Sequence, residues 1–220
     1  LMFKNARLRV EKGVIRTFNA RRGRISQKQI EVLDKFFPEF EMPDSLWNFQ
    51  ELFGNKEIIY EIGCGAGDTT IALAKNNPEK IVIAVEVHRP SITQLVEKIK
   101  KENIQNIRLS FSDAVQVLKE RVPDNSLSEI HAYFPDPWPK KRHHKRRLFR
   151  KELIELMFQK LQKGGLVHSA TDWFEYGQEI MENLPNAQTI AHPEWRPYTK
   201  YEKKGLNAKR VITEITASKQ

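Results

Sequence analysis

One cysteine in 220 residues leaves no intramolecular disulfide framework and no cysteine-rich zinc site to build, so a reducing, cytoplasmic setting is expected. No apolar run approaches the ~20 residues a membrane span requires, and no apolar signal segment stands near the N-terminus. The chain opens on Leu1 rather than methionine, which allows native residues to precede it. Hydrophobic residues make up 40% against 30% charged, with a mean hydropathy of -0.58, and no membrane partner is expected. Internal repeats are lacking, which excludes solenoids and propellers. His88, His131, His168 and His192 are scattered without ligand spacing, so no metal is expected. Monomer and homodimer are equally compatible with the sequence.

The chain has no shortage of positive charge, and its placement is uneven. Residues 1–30 hold nine Lys/Arg against Glu11 alone, and residues 140–151 (KKRHHKRRLFRK) hold eight Lys/Arg and no acid. Each segment is +8 in a chain whose net charge is +9, leaving -7 for the other 178 residues. Two concentrated basic segments on a mildly acidic body imply an anionic polymer as partner, since dense like charge repels itself.

From Glu57 onward, short β-branched runs alternate with helical patterns. EIIYEI (57–62), KIVIAVEV (80–87), NIRLSF (106–111), SEIHAYF (128–134) and GLVHSAT (165–171) read as strands. Helices are expected over 69–75, 91–102, 114–121 and 148–161, the last ended by Gly164 and Gly165. This is an α/β fold: an open, mostly parallel sheet with helices on both faces, binding ligands at the strand carboxyl ends. Residues 1–56, basic and then acidic and aromatic, read as an arm and helical cap belonging to the same domain as residues 57–220.

The first βα turn, EIGCGAGDTT, has glycines at 63, 65 and 67. It lacks the G-x-G-x-x-G dinucleotide spacing, and no Gly-Lys-Ser/Thr follows to make a P-loop. Instead Glu61, Glu86 and Asp113 stand at successive strand ends. Carboxylates suit S-adenosylmethionine, which carries positive charge and no phosphate. Glu86 would accept from both ribose hydroxyls, Asp113 from the adenine amino group, and Glu61 would meet the cationic methionine moiety. Cys64, between glycines, reads as a small spacer rather than a nucleophile. After the fourth strand, Phe134-Pro135-Asp136-Pro137-Trp138-Pro139-Lys140 leaves the sheet as a rigid extended loop. It offers an aromatic ring and a carboxylate for recognising a planar base.

EIGCGAG, EVH, SDA, FPDPWPKKRHHKRR, ATDW and RPYTKYE, in this order, closely resemble the bacterial tRNA (guanine-N7-)-methyltransferase family over essentially the whole chain. The resemblance implies a Rossmann-like class I methyltransferase fold, S-adenosylmethionine as methyl donor and tRNA as substrate. It places Glu61, Glu86, Asp113 and Asp136 on cofactor positions, and Asp136 also on the active-site position. Lys140, Asp172, Thr199, Lys200, Tyr201 and Glu202 fall on substrate positions. Arg142, His143, His144, Lys145, Arg146 and Arg147 fall on the RNA-contacting segment. The arm RRGRISQKQ departs from the family's pattern at Ser26 and Lys28.

Guanine N7 is already a lone-pair nucleophile, so the reaction calls for alignment and for a carboxylate near developing positive charge rather than a general base. Asp136, with Asp172 behind it, is the candidate for that role. The TKYE segment is expected in a loop between the last two strands, with Tyr201 stacking, Lys200 meeting a phosphate and Glu202 accepting from guanine. Two alternatives are an adenine-N6 methyltransferase, whose Asp/Asn-Pro-Pro-aromatic loop is not matched because Trp138 follows Pro137 directly, and a non-catalytic RNA-binding module.

Overall fold

The computed structural model describes residues 15–19 and 23–220; most of the basic arm, with its charge, lies outside the described residues. Five parallel strands form the frame: β1 (Ile58–Ile62), β2 (Ile81–Val85), β3 (Ile107–Ser110), β4 (Leu127–Tyr133) and β5 (Leu161–Thr171). β6 (Gln188–Thr189) and β7 (Thr213–Ser218) complete the sheet in the order β3-β2-β1-β4-β5-β7-β6, with β7 antiparallel to both its neighbours. Every residue of β2 is buried, as expected of a central strand covered on both faces. The strand order reverses between β1 and β4, and this opens a crevice at their carboxyl ends.

Helices cover the two faces. On one, α1 (Gln27–Phe36), α3 (Asp68–Asn76) and α4 (Arg89–Glu102) contribute Leu33, Leu73, Ile92, Leu95, Val96 and Ile99 to a core with Ile59, Val82 and Leu109. On the other, α2 (Phe49–Phe53), α5 (Ala114–Glu120), α6 (Lys151–Lys160) and α7 (Phe174–Asn183) pack Phe49, Val117, Met157 and Ile180 on Tyr60, Ile83 and Ile130. Residues before Glu57 thus enter both cores: Leu33, Phe37 and Phe40 join the first, Met42 and Trp47 the second.

Three local expectations need correction. α6 ends at Lys160, not at the glycines: Lys160 is held by Asp124 at 2.7 Å, and Leu161, fully buried, already pairs with Leu127. Gly164 and Gly165 sit inside β5 beside a register shift, Gly164 at φ +78°. The TKYE segment is not a loop but the start of α8 (Lys200–Asn207), because Thr199 and Glu202 form a reciprocal capping box. The sequence pattern alone assigns no helix to α7 (Phe174–Asn183), although Tyr176, Ile180 and Leu184 repeat at helical spacing and are all buried.

Candidate functional site

At the end of β1 the chain turns through Gly63, Gly65 and Gly67, with φ of +70°, +55° and +81°. A Cβ on Gly63 or Gly65 would project into open space, whereas one on Gly67 would strike Leu95 of α4 at 2.3 Å. Two glycines therefore leave room for a ligand, and the third lets α3 close on α4. Glu86 touches this turn and Glu61 lies near Glu86, while Asp113 follows β3 at the same end of the sheet. Glu61 is buried and accepts from Thr70 Oγ1 at 2.6 Å. Burial, with a smaller push from the nearby Glu86 carboxylate, raises its pKa to about 7.

Glu86 braces the turn: its Oε2 accepts from the Gly65 amide at 2.8 Å, and its Oε1 from the Val87 and His88 amides at 2.7 and 2.8 Å. With roughly four acceptor positions on a carboxylate, about one remains, fewer than two ribose hydroxyls would use. Asp113 caps α5, its Oδ1 accepting from Val115 N–H at 2.9 Å, and burial raises its pKa. The Tyr60 hydroxyl donates to the Ala114 carbonyl at 2.7 Å and so fixes that helix start to β1. Burial and the same two glutamates push the Cys64 thiol well above its ordinary range, which fits a spacer and not a nucleophile. A buried carboxyl with a raised pKa, and two more acids at the same sheet end, suit a cationic, phosphate-free adenosyl ligand.

β4 delivers the proline loop to the same end of the sheet. Phe134 and Trp138, at φ +51° and +44°, take left-handed conformations rare for bulky residues, and they bracket Asp136. Phe134 N–H is anchored on the Ala170 carbonyl at 2.7 Å, so the loop departs next to the end of β5, where Asp172 follows. The described piece of the arm lies against this loop. Asn19 N–H donates to Asp136 Oδ2 at 2.9 Å, and Trp138 Nε1–H to the Thr17 carbonyl at 3.1 Å. Arg16 is close enough to Asp113 to favour its ionised form, so residues 16–19 reach from Asp113 to Asp136.

The basic run 141–146 forms short 3₁₀ turns with Lys141, Arg142, Lys145 and Arg146 exposed. Arg146 lies 4.8 Å over the Trp138 ring. Arg147, expected on the RNA-contacting segment, is 1% exposed, donates from Nε to the Pro137 carbonyl at 2.9 Å and pairs with Glu179. These contacts connect the proline loop to α7. Lys140 is exposed at the loop's end.

Glu202, expected at a substrate position, is fully buried, its two carboxylate oxygens accepting from Arg196 at 2.8 and 2.9 Å. Lys200 and Tyr201 are exposed on α8, and Thr199 is half-buried at its N-cap. Asp172 is set by contacts the sequence reading missed. Arg210 Nη1 donates to its Oδ2 at 2.7 Å, and α8 comes so near that a Cβ on Gly205 would meet Asp172 Cβ at 2.9 Å. Also missed is a polar seam through Glu129, His131, Tyr133, His168, Glu214 and Arg196. Its signal was the alternation Glu129-x-His131-x-Tyr133, which puts all three on one face of β4. Among the described residues, His192, Glu202 and Glu214 bring ligand atoms within 4.8 Å of one another, but the Arg196 guanidinium already pairs with both glutamates.

Comparison with known proteins identifies the family and the fold. A family model described as "Putative methyltransferase" matches residues 55–215. A tRNA (guanine-N(7)-)-methyltransferase of Francisella philomiragia is 38% identical over 218 residues, covering 93% of this chain and 95% of that protein. One from Legionella pneumophila strain Paris is 37% identical over 206 residues, 87% of each chain. Among solved structures, the 16S rRNA methyltransferase KamB superposes with a TM-score of 0.58 at 14% identity, covering 80% of this chain and 95% of its own. A SAM-dependent O-methyltransferase from Thermotoga maritima does so with 0.52 at 17% identity, covering 78% and 63%. The fold is that of class I SAM-dependent methyltransferases.

Proposed function

The chain belongs to the tRNA (guanine-N(7)-)-methyltransferase family, and we propose that it methylates N7 of a guanosine in the variable loop of tRNA, in the cytoplasm, with S-adenosylmethionine as methyl donor. The observation that carries this reading is the set of carboxylates around the open glycine turn, placed at the same sheet end as the rigid Asp136 loop. Gly63 and Gly65 give the donor room, Glu61 faces its cationic end, the one acceptor position left on Glu86 takes a single ribose hydroxyl, and Asp113 takes the adenine amino group. S-adenosylmethionine, when bound, supplies an electrophilic methyl group on a sulfonium. Asp136 stabilises the positive charge that builds on the purine as N7 is alkylated, and no side chain has to remove a proton first. Exposed Lys140, Arg142, Lys145 and Arg146 hold the tRNA backbone, while Trp138, Tyr201 and Lys200 face the base and its phosphates. No helix among the described residues is long and apolar enough to cross a membrane.

The test is incubation of the protein with labelled S-adenosylmethionine and bulk tRNA, then identification of the modified nucleoside. The label is expected in 7-methylguanosine, and Asp136→Ala is expected to abolish transfer with the fold intact. Label in N6-methyladenosine establishes the adenine reading instead, and no transfer to any RNA the non-catalytic one.

A further inference from the structure

Arg196 is a buried charge engaged from several elements at once. It is 2% exposed, and its guanidinium forms a fork on Glu202 at 2.8 and 2.9 Å and pairs with Glu214 of β7. The same group lies 4.9 Å from the Tyr133 ring and 5.9 Å from that of Phe134. Three elements therefore meet on one planar cation: the first turn of α8, the antiparallel strand β7, and the end of β4 where Phe134 turns left-handed to launch the Asp136 loop. Glu202 cannot move without Arg196, and through the capping box it fixes Thr199, whose amide donates to Glu202 Oε2 at 3.3 Å.

We propose that Arg196 is a positioning residue that sets the start of α8, with Thr199, Lys200 and Tyr201, against the loop carrying Asp136, so that the two sides of the guanosine site keep one geometry. The proposal deepens the function put forward above and rests on it. A lysine keeps the charge but has no fork to grip both Glu202 oxygens and no plane to stack on Tyr133.

The experiment compares wild-type protein with Arg196→Lys, Glu202→Gln and the double variant, measuring kcat on tRNA, S-adenosylmethionine affinity by calorimetry and tRNA affinity by filter binding. Misplacement of one side of the site is expected to lower kcat of Arg196→Lys by about 100-fold while both affinities stay at wild-type values. The double variant is expected to be no slower than the slower single one, because the two residues act as a unit. Wild-type kcat in Arg196→Lys or in Glu202→Gln overturns the proposal. So does parallel loss of S-adenosylmethionine affinity, which makes Arg196 a general scaffold. If Arg196→Lys does not fold, Glu214→Gln loosens the same guanidinium from the β7 side, and the same split between kcat and affinity decides. A wild type that forms no 7-methylguanosine fails earlier and overturns the tRNA reading itself.

Discussion

Glu61 shows how far a residue's surroundings outrun its place in a motif. Its position before the glycines marks it as a cofactor acid, but the sequence does not say that burial lifts its pKa to about 7. A carboxyl with a raised folded pKa favours the native state when protonated. Its contribution, on the order of 3 kcal/mol, is full below about pH 4.5 and is lost as pH rises through 7. A cationic ligand reverses the preference, because it draws Glu61 into its ionised form. S-adenosylmethionine affinity is therefore expected to fall as pH drops below 7, by up to about tenfold per unit, with a proton released on binding. Calorimetry in buffers of differing ionisation enthalpy reads that proton directly. Glu61→Gln should flatten the profile; an equally flat profile in wild type would place Glu61 away from the ligand's charge.

Elements differ in how much of themselves they show in a sequence. β1 to β4 and α4 are legible because each buries residues at its own period, as with Ile92, Leu95, Val96 and Ile99 on α4. The placement of Glu61, Glu86, Asp113 and Asp136 at one end of the sheet is legible because strand ends in such a sheet share one rim. What is hidden depends on packing between distant segments. α8 reads as polar and loop-like, its core-facing residues being Glu202 and Gly205 rather than apolar side chains. Gly205 tests that packing. Gly→Ala inside a helix ordinarily adds about 0.5–1 kcal/mol of stability, but here the new methyl meets Asp172 Cβ at 2.9 Å and Oδ2 at 3.0 Å. Overpacking of this kind costs about 1–3 kcal/mol, so Gly205→Ala should lower the melting temperature and also methyl transfer, since Asp172 is the group displaced. A stabilised variant with full turnover would show that α8 and Asp172 need no such close approach.

At the scale of the molecule, charge is divided between a body of net -7 and two segments of +8, and the structure divides one of those segments again. Arg142 and Arg146 face solvent, Arg146 stacked on Trp138, whereas Arg147 is buried between Pro137 and Glu179. Adjacent arginines with the same formal charge thus belong to different parts of the energetics. Phosphate binding releases counterions, so each lost contact makes the slope of log K against log salt shallower by roughly 0.7–0.9. Arg142→Gln with Arg146→Gln is expected to weaken tRNA binding and flatten that slope, with melting and S-adenosylmethionine affinity unchanged. Arg147→Gln is expected to do the reverse: it leaves the partly exposed Glu179 without its cation and the Pro137 carbonyl without its donor, at a cost of about 1–3 kcal/mol, and it keeps the wild-type salt slope in whatever protein remains folded. Filter binding across a salt series, paired with thermal melts, separates the two. A slope that flattens for Arg147→Gln alone would mean that this side chain leaves its pocket for the RNA, and that the proline loop is held by something other than the Arg147–Glu179 pair.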